Sequence, residues 1–236
     1  MGEITVVGLG PGRFGLITME TWEILRGASC LLLRTSVHPT VEALRQKGMV
    51  FDSYDRFYEE AEDFASLYEK IVEDLLARAQ RGGHVVYAVP GSPSVAERTV
   101  VLLRERAKAA GVSLRILVGM SFLEVLYARL GVDPIEGIAI LDAMDVDRIP
   151  ACRGVPLVLT QVYEQRIASD AKIMLLEMFP DEHEVVYVRH LALPDESVRR
   201  IPLFEMDRQP DMDHLTSVFV PHLHAREQEN FPAHGL

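Results

Sequence analysis

A short apolar segment that runs directly into a glycine-rich turn constrains the fold of this chain most. Residues 4–12 have the sequence ITVVGLGPG, so a strand is followed by a turn rich in residues without a Cβ atom. Glycine permits positive φ and lets the backbone approach a bound molecule closely. At the carboxyl end of a strand in an α/β sheet, such a turn indicates a ligand-binding site.

The dinucleotide fingerprint G-x-G-x-x-G fits this turn poorly. Started at Gly8, the pattern requires a third glycine where the chain has Arg13. Started at Gly10, it places Pro11 inside the turn, and the next helix signal is Thr18 as N-cap. The fingerprint opens its helix within the glycines, with the pyrophosphate at the helix N-terminus, so this loop is too long.

The residue after the second predicted strand leaves other interpretations open. Residues 30–33 end in Arg34 rather than in the acidic residue that binds a ribose hydroxyl. An arginine there could bind the 2′-phosphate of NADP, which keeps an NADP-dependent oxidoreductase as an alternative. It could also pair with a carboxylate of an acidic substrate, or form a surface salt bridge. A tight strand-to-helix connection that binds no ligand is the remaining alternative for the glycines.

Two later strands also end in turns of small residues. Residues 84–89 lead into the sequence PGSP, and residues 114–118 lead into Gly-Met. Capping boxes, in which a glutamate follows a serine after three positions, predict helix starts at Ser94 and Ser121. Parallel strands have their carboxyl ends at one edge of the sheet, where ligands bind, so we expect the three turns to lie together. The alternative is that these boxes do no more than start helices.

The order of the predicted elements indicates an α/β protein. Strands and helices alternate in the first half, which predicts a mostly parallel sheet with helices on both faces. Predicted second-half strands cover 156–163, 184–190, 198–204 and 217–220, with a helix over 167–178. Strands this close together pair antiparallel, which predicts a mixed sheet. We therefore expect two α/β domains, residues 1–120 and 121–220, and a linker or tail over 221–236.

Charge and composition exclude several classes of function. The 35 acidic residues outnumber the 24 basic ones, for a formal charge of −11, and no basic cluster offsets them, so nucleic-acid binding is not expected. No apolar run approaches the roughly 18 residues of a membrane helix, which predicts a cytoplasmic protein without membrane contact. Cys30 and Cys152 form neither a disulfide framework nor a metal pair. His222 and His224 form a His-x-His motif without a nearby acidic or cysteine partner, so no metal site is expected.

Several motifs together resemble the tetrapyrrole (corrin/porphyrin) methylase family over about residues 3–220. They are VGLGPG after the first strand, a Gly-x-Pro turn after a later strand, and a serine-capped turn after the next. The stretches LLLRTSVHPTVEAL, VVYAVPGSPSVAERTV and PHLHAREQEN resemble the YabN-like branch in particular, in which such a domain precedes a MazG-type nucleotide pyrophosphohydrolase. The resemblance implies a homodimeric methyltransferase that binds S-adenosylmethionine (SAM) in a ligand cleft between its two α/β domains and uses a small-molecule acceptor of unspecified identity.

The resemblance also implies a set of SAM contacts in both domains. They are Pro11, Gly12, Gly91, Ser92, Val95, Ser121, Phe122, Gln161, Leu191 and Ala192. The family's second turn commonly reads Gly-Asp-Pro, whereas this chain has Ser92 in place of the aspartate. That departure leaves a second interpretation open, a SAM-binding or metabolite-sensing module that regulates a fused pyrophosphohydrolase.

The chemistry of methyl transfer requires few catalytic groups. The leaving group of a sulfonium is already activated, so alignment and desolvation are the protein's main contributions. If the acceptor must lose a proton, a general base would lie near the turns. His38 is the first candidate, followed by Tyr54 and Asp55, although a histidine before Pro39 is also typical of a plain helix entry.

Overall fold

A five-stranded parallel sheet forms the first part of the computed structural model, which describes residues 2–61 and 63–222. The strands are β1 (Glu3–Gly8), β2 (Leu31–Leu33), β3 (Asp52–Ser53), β4 (His84–Val89) and β5 (Ser113–Ile116). Their order in the sheet is β3-β2-β4-β1-β5, so β1 lies between β4 and β5. Because every pairing in this sheet is parallel, the carboxyl ends of all five strands share one edge.

Helices cover both faces of this sheet, as predicted. Side chains alternate between the faces, so Ile4 and Val6 belong to one hydrophobic cluster and Val7 to another. Helices α4 and α5 pack in the first cluster, and α1 and α2 in the second. The helices are α1 (Met19–Gly27), α2 (Pro39–Gln46), α3 (Asp55–Glu60), α4 (Phe64–Gln80) and α5 (Arg98–Arg106).

Helix α4 shows how the sequence specifies these elements. Asp63 caps it by accepting a hydrogen bond of 2.9 Å from the backbone N–H of Ser66. Leu67, Ile71 and Leu75 recur at helical spacing, and all three are buried against the sheet. The acidic residues before the helix thus provide its cap as well as a solvated surface.

The second compact unit begins at Leu126, after a first unit of Met1–Val125. Its mixed sheet has the order β6-β7-β10-β8-β9; β6 and β7 are parallel, and the other pairs are antiparallel. One hydrophobic cluster, to which α7 contributes, packs against this sheet. The helices and strands after β5 are α6 (Phe122–Leu130), β6 (Ala139–Asp142), β7 (Leu157–Thr160), α7 (Gln165–Leu176), β8 (Glu184–Arg189), β9 (Ser197–Pro202) and β10 (Thr216–Val220), with 3-10 helices in some of the connections.

Some local predictions were wrong. The predicted capping box at Ser94 does not start a helix; α5 begins four residues later, at Arg98, and Glu97 caps it through Thr99. The predicted strand 198–204 ends at Pro202 and continues as a 3-10 helix, Leu203–Arg208. Strands β3 and β6 and helix α3 were not predicted, because they are too short to show a period.

No helix within residues 2–61 and 63–222 is long and apolar enough to cross a membrane. Of the predicted tail, residues 221 and 222 are described, whereas residues 223–236, and with them His224, lie outside the described residues.

Candidate functional site

The first and second glycine-rich turns are joined by backbone hydrogen bonds. The N–H of Gly10 donates to the carbonyl of Gly91 at 3.1 Å, and the N–H of Gly91 donates to the carbonyl of Gly10 at 3.0 Å. The N–H of Leu9 also donates to Val89 at 2.8 Å. Both glycines of the bridge have positive φ, +71° and +64°, which glycine adopts without strain. The two turns therefore form one backbone structure at the carboxyl edge of the first sheet.

The third turn lies so close to the other two that there is no room for a side chain at the glycines where they meet. A Cβ atom on Gly119 would lie 2.9 Å from Cδ of Pro93 and 3.5 Å from Cα of Gly8. A Cβ atom on Gly8 would lie 2.3 Å from the carbonyl oxygen of Gly91. Only glycine fits at these two positions, so the prediction that the three turns lie together is confirmed by their contacts.

The start of α2 supports the first turn. The hydroxyl of Thr40 is buried and lies 3.0 Å from the carbonyl oxygen of Leu9 and 2.8 Å from that of Gly12. His38 caps the same helix, with Nδ1 accepting from the N–H of Thr40 at 3.3 Å. Burial lowers the pKa of His38 to about 4, against a hydrogen bond with the Gly10 backbone that raises it.

His38 therefore lies beside the first turn in its neutral form near pH 7. Both predicted aspects of this residue meet in the structure: it enters a helix, and it lies next to the glycine turn. Because Nδ1 caps the helix and the ring hydrogen-bonds to Gly10, its hydrogen-bonding groups are used within the protein.

Ser92 of the second turn is buried, and its Oγ accepts a hydrogen bond of 3.3 Å from the N–H of Ser94. An aspartate carboxylate forms the same local turn, because both side chains accept from the backbone N–H two residues ahead. The serine in place of the family's aspartate thus keeps the hydrogen bond that shapes this turn. The backbone N–H of Val95 then donates to the carbonyl of Ser92 at 3.2 Å.

The capping box of the third turn is confirmed. The N–H of Ser121 donates to Oε2 of Glu124 at 2.7 Å, and Oγ of Ser121 accepts from the N–H of Leu123 at 3.1 Å. Ser121 is buried, and α6 begins immediately after it, at Phe122. This turn is therefore fixed by the helix start, as the sequence pattern predicts.

Arg34 follows β2 at the same sheet edge and pairs with a carboxylate of the protein itself. Its Nε lies 3.3 Å from Oε2 of Glu97, within ion-pair distance but without the alignment of a hydrogen bond. Burial lowers the pKa of this guanidinium, but Glu97 and nearby tyrosines together raise it above its ordinary value. The surface salt bridge considered from the sequence is in fact a largely buried ion pair.

Tyr54 and Asp55, the other candidate catalytic residues, bind neighbouring side chains. The hydroxyl of Tyr54 donates to Asp74 at 2.8 Å, and burial followed by this bond raises the pKa of Tyr54. Tyr54 also lines a cavity of about 540 Å³, together with Asp74 and Arg78. The structure thus places this phenol in a hydrogen-bonded position on the wall of a separate cavity.

The carboxylate of Asp55 holds together the ends of β2 and β3. It accepts from the hydroxyls of Thr35 (2.6 Å) and Ser53 (2.7 Å) and from the N–H of Ser36 (2.9 Å). Burial raises the pKa of Asp55, but these hydrogen bonds outweigh it and lower the pKa to about 2. Such a carboxylate is a weak base, so its geometry is that of a loop anchor.

In the second unit, the residues implied by the resemblance lie at one edge of the mixed sheet. Gln161 follows β7, and Leu191 and Ala192 follow β8; both strands run antiparallel to β10 between them. Gln161 and Ala192 have φ of +61° and +65°, and His190 has +55°. Non-glycine residues with this backbone conformation are strained, and such strain concentrates at functional sites.

Polar contacts hold the strained segment after β8. The N–H of Ala192 donates to Glu196 at 2.8 Å. The two ring nitrogens of His190 each lie 2.7 Å from a carboxylate oxygen, one of Asp195 and one of Asp213. These bonds over-determine the backbone there, which is the condition under which strain persists.

The chain is similar to several known proteins in sequence and fold. The model of the family Tetrapyrrole (Corrin/Porphyrin) Methylases matches residues 3–207. The chain belongs to the tetrapyrrole methylase family. It is 40% identical over 222 residues to the uncharacterized protein YabN of Bacillus subtilis (strain 168), covering 93% of this chain but 45% of that protein. The chain thus spans about half the length of this relative.

Two further similarities extend this result. A methyltransferase and cyclic peptide lentinulin A precursor of Lentinula edodes is 28% identical over 135 residues, covering 56% of this chain and 32% of that protein. The crystal structure of uroporphyrin-III-C-methyltransferase from Thermus thermophilus has a TM-score of 0.74 at 22% identity and covers 94% of both chains. The two α/β units of this chain therefore have the tetrapyrrole methylase fold.

The structure also shows residues that sequence reasoning missed. Thr40 supports the first turn, and Glu97 both caps α5 and pairs with Arg34. A threonine just inside a predicted helix start was the available signal for the first. No local signal indicates the second, because Arg34 and Glu97 are far apart in the sequence.

Proposed function

We propose that this chain is a SAM-dependent methyltransferase whose methyl donor binds at the three glycine-rich turns. The observation that carries the proposal is the contact of these turns at one sheet edge, where Gly8 and Gly119 have no room for a Cβ atom. Membership of the tetrapyrrole methylase family supports it. The residues implied as donor contacts in the first unit, such as Gly12, Gly91, Ser92 and Ser121, all lie in or next to these turns.

The chain's own residues would bind and align the donor. SAM supplies a methyl group on a positively charged sulfur; this methyl bonds to the acceptor while the sulfur keeps the electron pair of the broken bond. The backbone groups of the turns are fixed by the Gly10–Gly91 bridge and by Thr40, so donor binding requires little ordering of the protein. Asp55 is a weak base and His38 caps α2, so neither is proposed as the group that takes a proton from the acceptor.

Calorimetry with S-adenosylhomocysteine (SAH) tests donor binding. We expect one SAH per chain, and a loss of binding in Gly91→Val. Gly111→Val is a matched control, because Gly111 has nearly the same φ (+68° against +64°) and equally open surroundings, but lies away from the turns. Absence of heat and of any thermal shift in the unmodified chain would contradict the proposal, as would equal loss of binding in both variants.

Further parts of the proposal concern the whole protein. Since the Bacillus subtilis relative extends well beyond the matched region, we propose that this chain is followed by a second domain, of the MazG-type pyrophosphohydrolase class. We also propose that it acts in the cytoplasm, as a homodimer, on a small-molecule acceptor. Light scattering of the SAH-bound protein would test the homodimer. The alternative of a purely regulatory module has no support among these relatives; it predicts SAM binding without methyl transfer.

A further inference from the structure

A polar cluster lies beside the second turn, at the carboxyl ends of β2 and β4. Its centre is the ion pair of Arg34 and Glu97, with side chains 22% and 4% exposed. Glu97 ends the second turn, where it accepts from the hydroxyl of Thr99 at 2.7 Å. The backbone N–H of Arg34 donates to Ala88, next to the end of β4. The pair therefore adjoins the proposed donor site and is largely screened from water.

Two half-buried tyrosines complete this cluster. Tyr58 is on α3 and Tyr68 is on the first turns of α4; both pack against the hydrophobic cluster of α4 and α5, and both lie close enough to Arg34 to interact with its charge. Burial raises the pKa of Tyr58 to about 12, although Arg34 opposes the shift. Both phenols are neutral near pH 7 and can donate hydrogen bonds. A ligand at this point would meet hydroxyl and guanidinium donors.

The charges at the cluster disfavour an acidic ligand. Glu97 already neutralises Arg34, and the ionised Asp55 is close enough to influence Tyr58. Glu59 and Asp63 follow on α3 and at the start of α4, whereas Glu60 is paired with Arg56 at 3.5 Å. The whole chain carries a formal charge of −11. A molecule with several carboxylates would be repelled at this surface rather than attracted.

We propose that Arg34, Tyr58, Tyr68 and Glu97 form the methyl-acceptor subsite, and that it takes an uncharged hydrogen-bonding group rather than a polycarboxylate such as a tetrapyrrole. This inference rests on the proposed methyltransferase function and specifies its substrate class. Glu97 is the residue that sets this specificity, because it cancels the one guanidinium of the cluster.

A charge experiment tests the role of Glu97. Uroporphyrin III, a tetrapyrrole polycarboxylate, is titrated into the SAH-loaded chain and its fluorescence followed at low and near-physiological salt. We expect no binding to the unmodified chain, and salt-sensitive binding to Glu97→Gln, in which Arg34 is released while the amide oxygen can still cap α5. Glu69→Gln is the matched control, because it removes the same charge from an exposed pair with Arg106. Binding to the unmodified chain that Arg34→Met abolishes would overturn the inference, as would no gain of Glu97→Gln over Glu69→Gln.

A second measurement tests the tyrosines directly and leaves Glu97 in place. The ring signals of labelled tyrosines, assigned with Tyr58→Phe and Tyr68→Phe, are followed while N-methylacetamide is added as a neutral probe. We expect the signals of Tyr58 and Tyr68 to shift in the SAH-bound chain, and that of Tyr163, in the second unit, to remain unchanged. Equal shifts at all three, or none, would contradict the inference. Calorimetry on the same sample separates the two proposals. If SAH does not bind, the proposal of a methyltransferase is contradicted; if SAH binds but the tyrosine signals do not shift, only the proposal of the acceptor subsite is contradicted.

Discussion

A single added Cβ atom would disturb the three glycine-rich turns that form the proposed donor site. Among Gly8, Gly10 and Gly119, the shortest contact of such an atom is at Gly8. A Cβ atom there meets the Gly91 carbonyl oxygen at 2.3 Å and Cδ of Pro93 at 2.8 Å, so the backbone must move. We expect Gly8→Ala to lower the free energy of unfolding by about 1–3 kcal/mol and to abolish SAH binding. Urea unfolding and calorimetry measure the two effects. Gly15→Ala is the control in the same loop, since its Cβ would meet nothing within 4 Å; similar losses in both variants would contradict this explanation.

The titration of His38 gives a prediction about pH. Its pKa is lowered from 6.5 to about 4 in the folded chain, so below pH 6.5 the unfolded chain binds more protons than the folded one. The contribution of neutral His38 to the free energy of unfolding is therefore retained above pH 6.5 and is lost as the pH falls toward 4. We expect the unmodified chain to lose about 2 kcal/mol more than His38→Asn between pH 7 and pH 5. Asparagine keeps a cap acceptor but does not titrate; equal losses in urea unfolding would show that the ring is not buried in its neutral form.

At the scale of elements, we expect the two serines of the predicted capping boxes to differ in their contribution to stability. At the start of α6, Ser121 donates hydrogen bonds to Glu124 and accepts one from the N–H of Leu123, whereas the exposed Ser94 precedes α5 by four residues. We expect Ser121→Ala to cost about 0.5–2 kcal/mol of unfolding free energy, and Ser94→Ala less than about 0.5 kcal/mol. Thermal and urea unfolding provide the values. A larger cost for Ser94→Ala would show that this serine has a role beyond the observed structure.

The junction of α2 with the first turn gives another prediction at this scale. Thr40→Val keeps the shape of the side chain but leaves the carbonyl oxygens of Leu9 and Gly12 without the hydroxyl. We expect a loss of about 1–3 kcal/mol in unfolding free energy and weaker SAH binding. Thr40→Ser restores the hydroxyl and should retain most of both. If Thr40→Val and Thr40→Ser behave alike, the hydroxyl does not support the turn.

For the whole molecule, donor binding and stability are linked. A ligand that binds the folded chain alone adds stability, by about 2.7 kcal/mol at a hundredfold excess over its Kd. We expect this gain when SAH is added to the unmodified chain during urea unfolding, and none for Gly91→Val. A gain in both would show that SAH stabilises the chain from a site other than the turns.

Local sequence signals predicted the elements that are long or strongly patterned. Helix α4 follows from Leu67, Ile71 and Leu75, and α6 follows from its capping box. Strand β3, two residues long, and the true start of α5 could not be predicted. The predicted capping box at Ser94 does not form, because the chain makes a turn there in which Ala96 adopts a positive φ. Glu97, which contacts Arg34 and Thr99, caps α5 instead.

The α/β class, the three small-residue turns and the resemblance that led to the family follow from the amino-acid sequence. These depend on composition and spacing within short segments, which the chain shows directly. The tertiary structure alone decided how the turns meet, that Thr40 holds the first of them, and that Arg34 is paired with Glu97 rather than free. These contacts join residues distant in the sequence, and their geometry is fixed only when parallel strands bring their carboxyl ends to one edge.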